Sequence, residues 1–143
     1  MLTMKTKYGL RALAVMGHDP QKSWQAKAIA ETADIPLKFL ETILVALRHN
    51  GIIASKRGAS GGHMLARAAS SITVGEIIRV FEKMIAPLPC ASAFAYQPCD
   101  ECADPAGCEI RHLMMDVRNA MSRVLDTRTI QDLIDNKKEG ELL

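Results

Sequence analysis

Between Asn50 and Arg67 the chain stops placing apolar residues at helical spacing. It carries instead two short apolar runs, Ile52-Ile53-Ala54 and His63 to Ala66, on either side of Lys56-Arg57-Gly58-Ala59-Ser60-Gly61-Gly62. Two such runs joined by so short and glycine-rich a connection read as a small β-hairpin with a basic tip. The segments before it are helical in pattern. Tyr8, Leu10, Leu13, Ala14 and Met16 form an apolar face interrupted by Lys5, Lys7 and Arg11, and His18-Asp19-Pro20 stops that helix. Trp24 to Ala33 reads as a short alanine-rich helix with Ile29 and Ala30 inward. Asp34-Ile35-Pro36 then turns the chain, because the residue before a proline avoids helical geometry. A third helix begins at Pro36, buries Leu40, Ile43, Leu44 and Leu47, and ends at Asn50-Gly51.

Two helices across a tight turn followed by a hairpin are the order of a winged helix-turn-helix. A further helix starts at Thr73, where Thr73-Val74-Gly75-Glu76 fits a capping box and Ile77, Ile78, Val80 and Phe81 supply the apolar face. Pro87 and Pro89 end it. Residues 90–108 have no periodicity. A long helix from Glu109 to Leu125 carries Leu113, Met114, Val117, Met121, Val124 and Leu125, and a last one runs from Thr129 to about Asp135 with Ile130, Leu133 and Ile134 buried. The predicted fold class is mainly α: a winged helix-turn-helix with a small β-hairpin wing and a long C-terminal helix. Its expected divisions are a DNA-binding domain over 1–85, a cysteine-bearing loop over 86–108, the long and terminal helices over 109–136, and a frayed tail over 137–143.

Composition narrows the function. At 143 residues there is room for one ordinary domain or a small domain with a helical appendage, which argues against an enzyme built on a large cofactor fold. The 48% hydrophobic and 24% charged content fits a soluble helix-rich protein and not a disordered or fibrous one. No apolar stretch approaches the ~20 residues of a membrane span, and the start lacks the apolar run and cleavage site of a secretory signal, so a cytoplasmic location is expected.

The formal net charge of +2 conceals a division. Residues 1–67 carry ten Lys and Arg against four Asp and Glu; the remainder carries eight against twelve. A basic first half faces a polyanion, since phosphate contacts need cations on a shared surface. The third helix exposes Lys38, Glu41 and Thr42 at its start, side chains able to reach phosphates, cytosine amino groups and base edges in a major groove, with Arg48 further along toward a phosphate. The hairpin tip places Lys56 and Arg57 beside glycines that permit close backbone approach, an arrangement suited to a narrow minor groove. The candidate interface with double-stranded DNA is therefore Lys5, Lys7, Lys38, Glu41, Thr42, Arg48, Lys56, Arg57, Gly61 and Gly62. A nucleotide-cradling loop is a poorer reading, because the Walker spacing and the following helix are missing.

All four cysteines, Cys90, Cys99, Cys102 and Cys108, lie within nineteen residues in the spacing C-x8-C-x2-C-x5-C. Without an export signal, metal binding or redox chemistry is favoured over structural disulfides. Asp100, Glu101, Asp104 and Glu109 surround them, with no base before Arg111, so a free thiolate is electrostatically disfavoured. A bound metal supplies the missing positive charge itself. An iron-sulfur cluster (2Fe-2S or 4Fe-4S), a four-cysteine zinc site and redox-active thiols all remain open on this evidence.

The run Gly51-Ile52-Ile53-Ala54-Ser55-Lys56-Arg57-Gly58-Ala59-Ser60-Gly61-Gly62-His63-Met64-Leu65-Ala66-Arg67, followed by Ile72-Thr73-Val74-Gly75-Glu76-Ile77-Ile78, resembles the wing signature of the Rrf-two-type winged-helix regulators. Lys7-Tyr8-Gly9-Leu10-Arg11-Ala12-Leu13 and Ile35-Pro36-Leu37-Lys38-Phe39-Leu40-Glu41 resemble it too, although Pro36 and Lys38 stand where family members often have small hydroxyl residues. The resemblance implies a homodimeric transcription regulator, with repression as the expected sense, a palindromic operator, and a dimer interface on the helix after the cysteines. It implies that Glu41 reads a base and that Arg57 enters the minor groove. It also implies an iron-sulfur cluster on Cys90, Cys102 and Cys108, with Cys99 an extra thiol or a fourth ligand. Where some members place a histidine three residues after the last cysteine, this chain has Arg111, and His112 lies about 100° further around a helix. The competing functions are a zinc-stabilised or thiol-switched interaction module and a small oxidoreductase using Cys99-x2-Cys102. The enzyme is the weakest of the three, since no substrate-sized constellation accompanies the acidic CxxC.

Overall fold

A computed structural model describes residues 2–138. Helix α1 (Met4–His18) is central: Ala12, Leu13 and Met16 are fully buried, and the helix packs on α2 (Ala26–Ala33), α3 (Leu37–His49), α4 (Val74–Glu82) and α6 (Ile130–Lys138). The face predicted for α3 is the one that is buried, Leu40, Ile43, Leu44 and Leu47. Strands β1 (Ile53–Lys56) and β2 (Gly62–Leu65) pair antiparallel, with Ile53 opposite Leu65 and Ser55 opposite His63.

Three local expectations are corrected. Alanine content places the start of α2 at Trp24, but the helix begins at Ala26, because the Trp24 backbone is extended against β2. Helix α4 stops at Glu82, ahead of both prolines, because Lys83 adopts φ 65° and returns its N–H to the Arg79 carbonyl. At its other end only half of the capping box forms: Thr73 Oγ1 accepts from the Glu76 N–H at 3.1 Å, while the Glu76 carboxylate pairs with Arg67. A complete box stands instead at α6, where Thr129 N–H donates to Asp132 Oδ2 at 2.8 Å and Asp132 N–H donates to Thr129 Oγ1 at 3.2 Å.

The two C-terminal helices part company. Ile130 and Ile134 of α6 are buried in the same core as α1 to α3, while Leu133 of α6 and Leu125 at the end of the long helix pack on the same small cluster around Ile78. By contrast α5 (Glu109–Leu125) has no buried residue along its 17 positions. The tail expected to fray begins at Lys137. Helix α6 extends to Lys138, and 139–143 lie outside the described residues. Helix α5 is tied to α4 by a two-pronged ion pair, Arg79 to Asp126 at 2.6 and 2.9 Å. Gly75 makes room for it, since a Cβ there would collide with Asp126 Oδ1. The hydrogen bond to Arg79 holds the Asp126 carboxyl below its ordinary value.

Glu82 closes the opposite side of the core. Its Oε1 accepts from Thr3 N–H at 2.7 Å, Thr3 Oγ1 at 2.7 Å and the fully buried Thr6 Oγ1 at 2.5 Å, so the end of α4 caps the start of α1. Partial burial pushes this carboxyl up, but the bonds from Thr6 and Thr3 outweigh it and the net direction is down from 4.5. A depressed carboxylate contributes stability above its unfolded value and loses it as pH falls through the folded one. Glu82→Gln is therefore expected to lower the midpoint of thermal unfolding at neutral pH, with the deficit shrinking below about pH 4. A deficit that stays constant well below that pH, measured by circular dichroism, assigns the cap to neutral packing.

Candidate nucleic-acid interface and cysteine loop

The turn between α2 and α3 is set by Asp34, at φ 54°, with the Ile35 N–H donating to the Ala30 carbonyl at 3.0 Å and the Ile35 side chain buried. This geometry aims the start of α3 outward. Lys38, Glu41, Thr42 and Arg48 are all exposed, and so are Leu37 and Phe39, which the apolar pattern alone would assign to a core. Lys5 and Lys7 are exposed on the first turns of α1, the end capped by Glu82, and neither lines the notch between α3 and the hairpin.

That notch, about 190 Å³, is lined by Glu41, Val45 and Arg48 of α3, Ser55 of β1, His63 of β2 and Ala26 of α2. The hairpin is held there by a third extended segment. Trp24 N–H donates to the His63 carbonyl at 2.8 Å and His63 N–H donates to the Trp24 carbonyl at 2.7 Å. Gln25 Nε2 donates to the Gly61 carbonyl, and Lys22 Nζ sits 3.9 Å from the centre of the Trp24 ring. Gly61 and Gly62 are accounted for by this packing. A Cβ on Gly61 would strike the Lys56 carbonyl, and one on Gly62 would lie 2.6 Å from the Trp24 carbonyl oxygen, so the close backbone approach these glycines permit is made within the protein. Lys56 and Arg57 are exposed beyond them, next to Gly58 at φ 104°. Ser55 Oγ and His63 Nδ1 share a hydrogen bond of 2.7 Å across the strand pair. Burial first, and the Arg48 charge second, push the His63 imidazole below 6.5. Sequence reasoning missed this histidine, whose only signal is a polar residue at an inward-facing strand position.

The cysteine loop runs from α4 to α5. Cys108 caps α5, its sulfur accepting from the Arg111 N–H at 3.5 Å, and Cys102 lies beside Cys99 and Cys108. The Cys102 thiol is pushed up by burial first, opposed by a backbone hydrogen bond at Asp104, and further by the Cys108 and Cys99 sulfurs. The sequence attributes a disfavoured thiolate to the surrounding acids, whereas the causes here are desolvation and the other thiols. Arg111 and Arg118, seven residues apart on one flank of α5, hold the loop's beginning: Arg111 Nε donates to the Cys90 carbonyl at 2.8 Å and Arg118 Nη1 to the Ala91 carbonyl at 2.7 Å. Arg111, at the position of a possible histidine ligand, is thus a loop clamp, and its guanidinium also lies 5.7 Å from the Tyr96 ring centre. The thiols match a soft metal or cluster in donor chemistry. Their arrangement does not close on one: among the described residues no three His, Cys, Asp or Glu side chains converge to hold an ion.

A helix-turn-helix whose second helix is exposed, with a basic wing fastened beside it, defines the winged-helix class of DNA-binding proteins. Residues 2–136 match the family model of Rrf2, described as an iron-dependent transcriptional regulator, and the chain belongs to that family. It is 41% identical over 138 residues to an rrf2-like HTH-type transcriptional regulator of Rhodobacter capsulatus, covering 94% of this chain and 92% of that one. It is 34% identical to the regulator CymR of Bacillus subtilis, covering 92% and 88%. The solved structure of that CymR, "the Global Cysteine Regulator", superposes with a TM-score of 0.77 at 31% identity, covering 95% of this chain and 97% of that one. IscR of T. potens gives the same TM-score at 26% identity, covering 100% and 92%. Its relatives being transcriptional regulators, the chain is a DNA-binding regulator and not an enzyme. Among the described residues no helix is long and apolar enough to cross a membrane.

Gly62→Ala tests the wing attachment. The added methyl must displace the Trp24 carbonyl, which should release the amide protons of Trp24 and His63 to faster hydrogen exchange while those of α1 stay protected. Unchanged protection at Trp24 and His63 would mean that the strand addition tolerates the methyl.

Proposed function

We propose that this regulator binds a palindromic operator as a homodimer, with its DNA affinity set by the state of the cysteine loop. The carrying observation is the attachment of the wing beside α3, which presents both on one exposed surface. In this reading Glu41 accepts from a cytosine amino group, Lys38 and Thr42 contact base edges or phosphates, and Arg48 takes a phosphate. Arg57 enters the minor groove with Lys56 beside it. Lys5 and Lys7 add only to the field, and Gly61 and Gly62 keep the wing in shape.

The dimer reading is supported by α5. Ile110, Leu113, Val117 and Val124 form one apolar stripe on a helix with no buried residue, and the described residues leave it partly or largely exposed, with Leu113 57% exposed. Fully burying a side chain of this size contributes about 1.5–3 kcal/mol, so a partner stripe gives a strong drive to pair. Two-fold pairing then matches two reading heads to a palindrome. The functional divisions become a DNA-binding unit of 2–85 with α6, a loop of 86–108, and α5 as the dimer helix. Leu113→Asp or Val117→Asp is expected to give a folded monomer by sedimentation, with operator affinity reduced at least about tenfold. A dimer unchanged in both variants overturns the assignment of α5.

The loop is read as the holder of an iron-sulfur cluster on Cys90, Cys102 and Cys108, with Cys99 as fourth ligand or spare thiol. Four thiols in one loop and a family described as iron-dependent support this. When bound, such a group supplies a local charge that changes with redox state or loss of iron. A second reading, a thiol switch without metal, is favoured by the unclosed geometry and by the neighbouring Cys99, Cys102 and Cys108. Anaerobically purified protein is expected to contain iron and sulfide, both lost in Cys102→Ala and Cys108→Ala, and its operator affinity should change when iron is removed at fixed salt. Absence of iron together with a disulfide mapped to Cys102 would move the assignment to the thiol switch. Zinc alone would make the loop a structural site.

A further inference from the structure

The notch between α3 and the wing contains a polar group that the reading above does not use. His63 stands on β2 one residue from the Lys56–Gly62 pair that closes the hairpin loop, held by its backbone to Trp24 and by its ring to Ser55 Oγ, and it lines the notch with Arg48 and Glu41. A helix placed in a major groove and a wing placed in the neighbouring minor groove have one strand of the duplex running between them. In that reading the notch between α3 and the wing lies on the path of this strand. Its lining offers a guanidinium, a hydroxyl and an imidazole, three groups that donate to a phosphate oxygen.

We propose that this notch is a single-phosphate seat for the DNA backbone, formed by Arg48, Ser55 and His63, and that His63 takes up a proton when the phosphate enters. The proposal rests on the DNA-facing reading of α3 and the wing. Binding and protonation are coupled by charge. In the free protein the imidazole is held neutral at pH 7, since burial and the Arg48 cation both disfavour imidazolium. A phosphate oxygen between the two cancels the repulsion from Arg48 and gives the second ring N–H an acceptor. The groups facing the ring are Arg48 and Glu41 from α3 and Ser55 from β1, while Ala26 and the Trp24 backbone face it without side-chain charge. Glu41 lines the same space, and its carboxylate opposes a phosphate there, so the seat depends on Arg48 and the imidazolium outweighing it.

The sign follows directly. If the bound complex holds the proton more tightly than the free protein, binding consumes a proton and affinity rises as pH falls through the interval between the two values. Each pKa unit of difference corresponds to about tenfold in affinity. The seat also explains the Ser55–His63 bond, which fixes the ring with one nitrogen occupied and leaves the other for the ligand.

The experiment uses the full-length protein and an operator duplex selected from random sequence, with affinity read by fluorescence anisotropy at fixed ionic strength between about pH 8 and pH 6. The parent protein should bind at least about threefold tighter at the lower pH, and His63→Gln, which can still bond Ser55, should lose that dependence. Neutral methylphosphonates are then placed one position at a time along the operator. One position per half-site should weaken the parent about tenfold and abolish its pH dependence, with a smaller penalty in His63→Gln and in Arg48→Gln. An unchanged pH profile in His63→Gln, or equal methylphosphonate penalties for parent and variants at every position, overturns the seat. Failure of the underlying reading is separately visible: Arg57→Ala would then bind the operator as tightly as the parent at every pH.

Discussion

The two backbone bonds between Trp24 and His63 determine what this fold can present to a ligand. They turn a two-stranded hairpin, marginal by itself in water, into part of a three-segment sheet attached to the start of α2. Through them the wing inherits its position from the same helix pair that orients α3. Each such bond is worth only about 0.5–1.5 kcal/mol net, so the attachment is specific without being strong. That explains why the surrounding sequence leaves so little tolerance. Gly62 has no room for a side chain beside the Trp24 carbonyl, and Gly61 has none beside the Lys56 carbonyl. The Lys22 ammonium over the indole and the Gln25 bond to Gly61 add to the same junction.

Much of this was legible in the chain because the signals are short-range. The α3 face follows from the spacing of Leu40, Ile43, Leu44 and Leu47, and the hairpin follows from glycines around a basic pair. What escaped depends on partners distant in sequence. Trp24 looks helical among alanines until His63 supplies its ladder bonds, thirty-nine residues on. Thr6 and Glu82, or Arg79 and Asp126, are unremarkable as separate residues and become a cap and a clamp only when α4 meets its neighbours. Apolar spacing likewise marks Ile130 and Ile134 as buried without saying which elements they pack against. In the loop the cysteine spacing was legible, but the role of Arg111 as a clamp on the Cys90 carbonyl was not.

The contrast between α5 and α6 separates two kinds of stability. Ile130 and Ile134 are buried within the chain and stabilise it at any concentration. Ile110, Leu113 and Val124 of α5, by contrast, are left exposed by the described residues. Under the proposed pairing, the stability that the α5 stripe contributes would be concentration-dependent, whereas that from α6 is not.

That division also locates the soft part of the molecule. Helix α5 is joined to the winged unit by the Arg79–Asp126 pair, by arginine bonds to the carbonyls of Cys90 and Ala91, and by modest packing near Leu125. The ion pair is part-exposed, so its worth in water is small, on the order of 1 kcal/mol or less. A coupling free energy between distant sites is typically about 1–3 kcal/mol, comparable with the sum of these ties. Two of them end on the loop that carries the cysteines. A change of state in that loop that moved the carbonyls of Cys90 and Ala91 would act on α5 directly through these two bonds. In the proposed function such a change can shift the arrangement only by the difference in its own free energy between the two placements, and that difference would set the size of the response in DNA affinity.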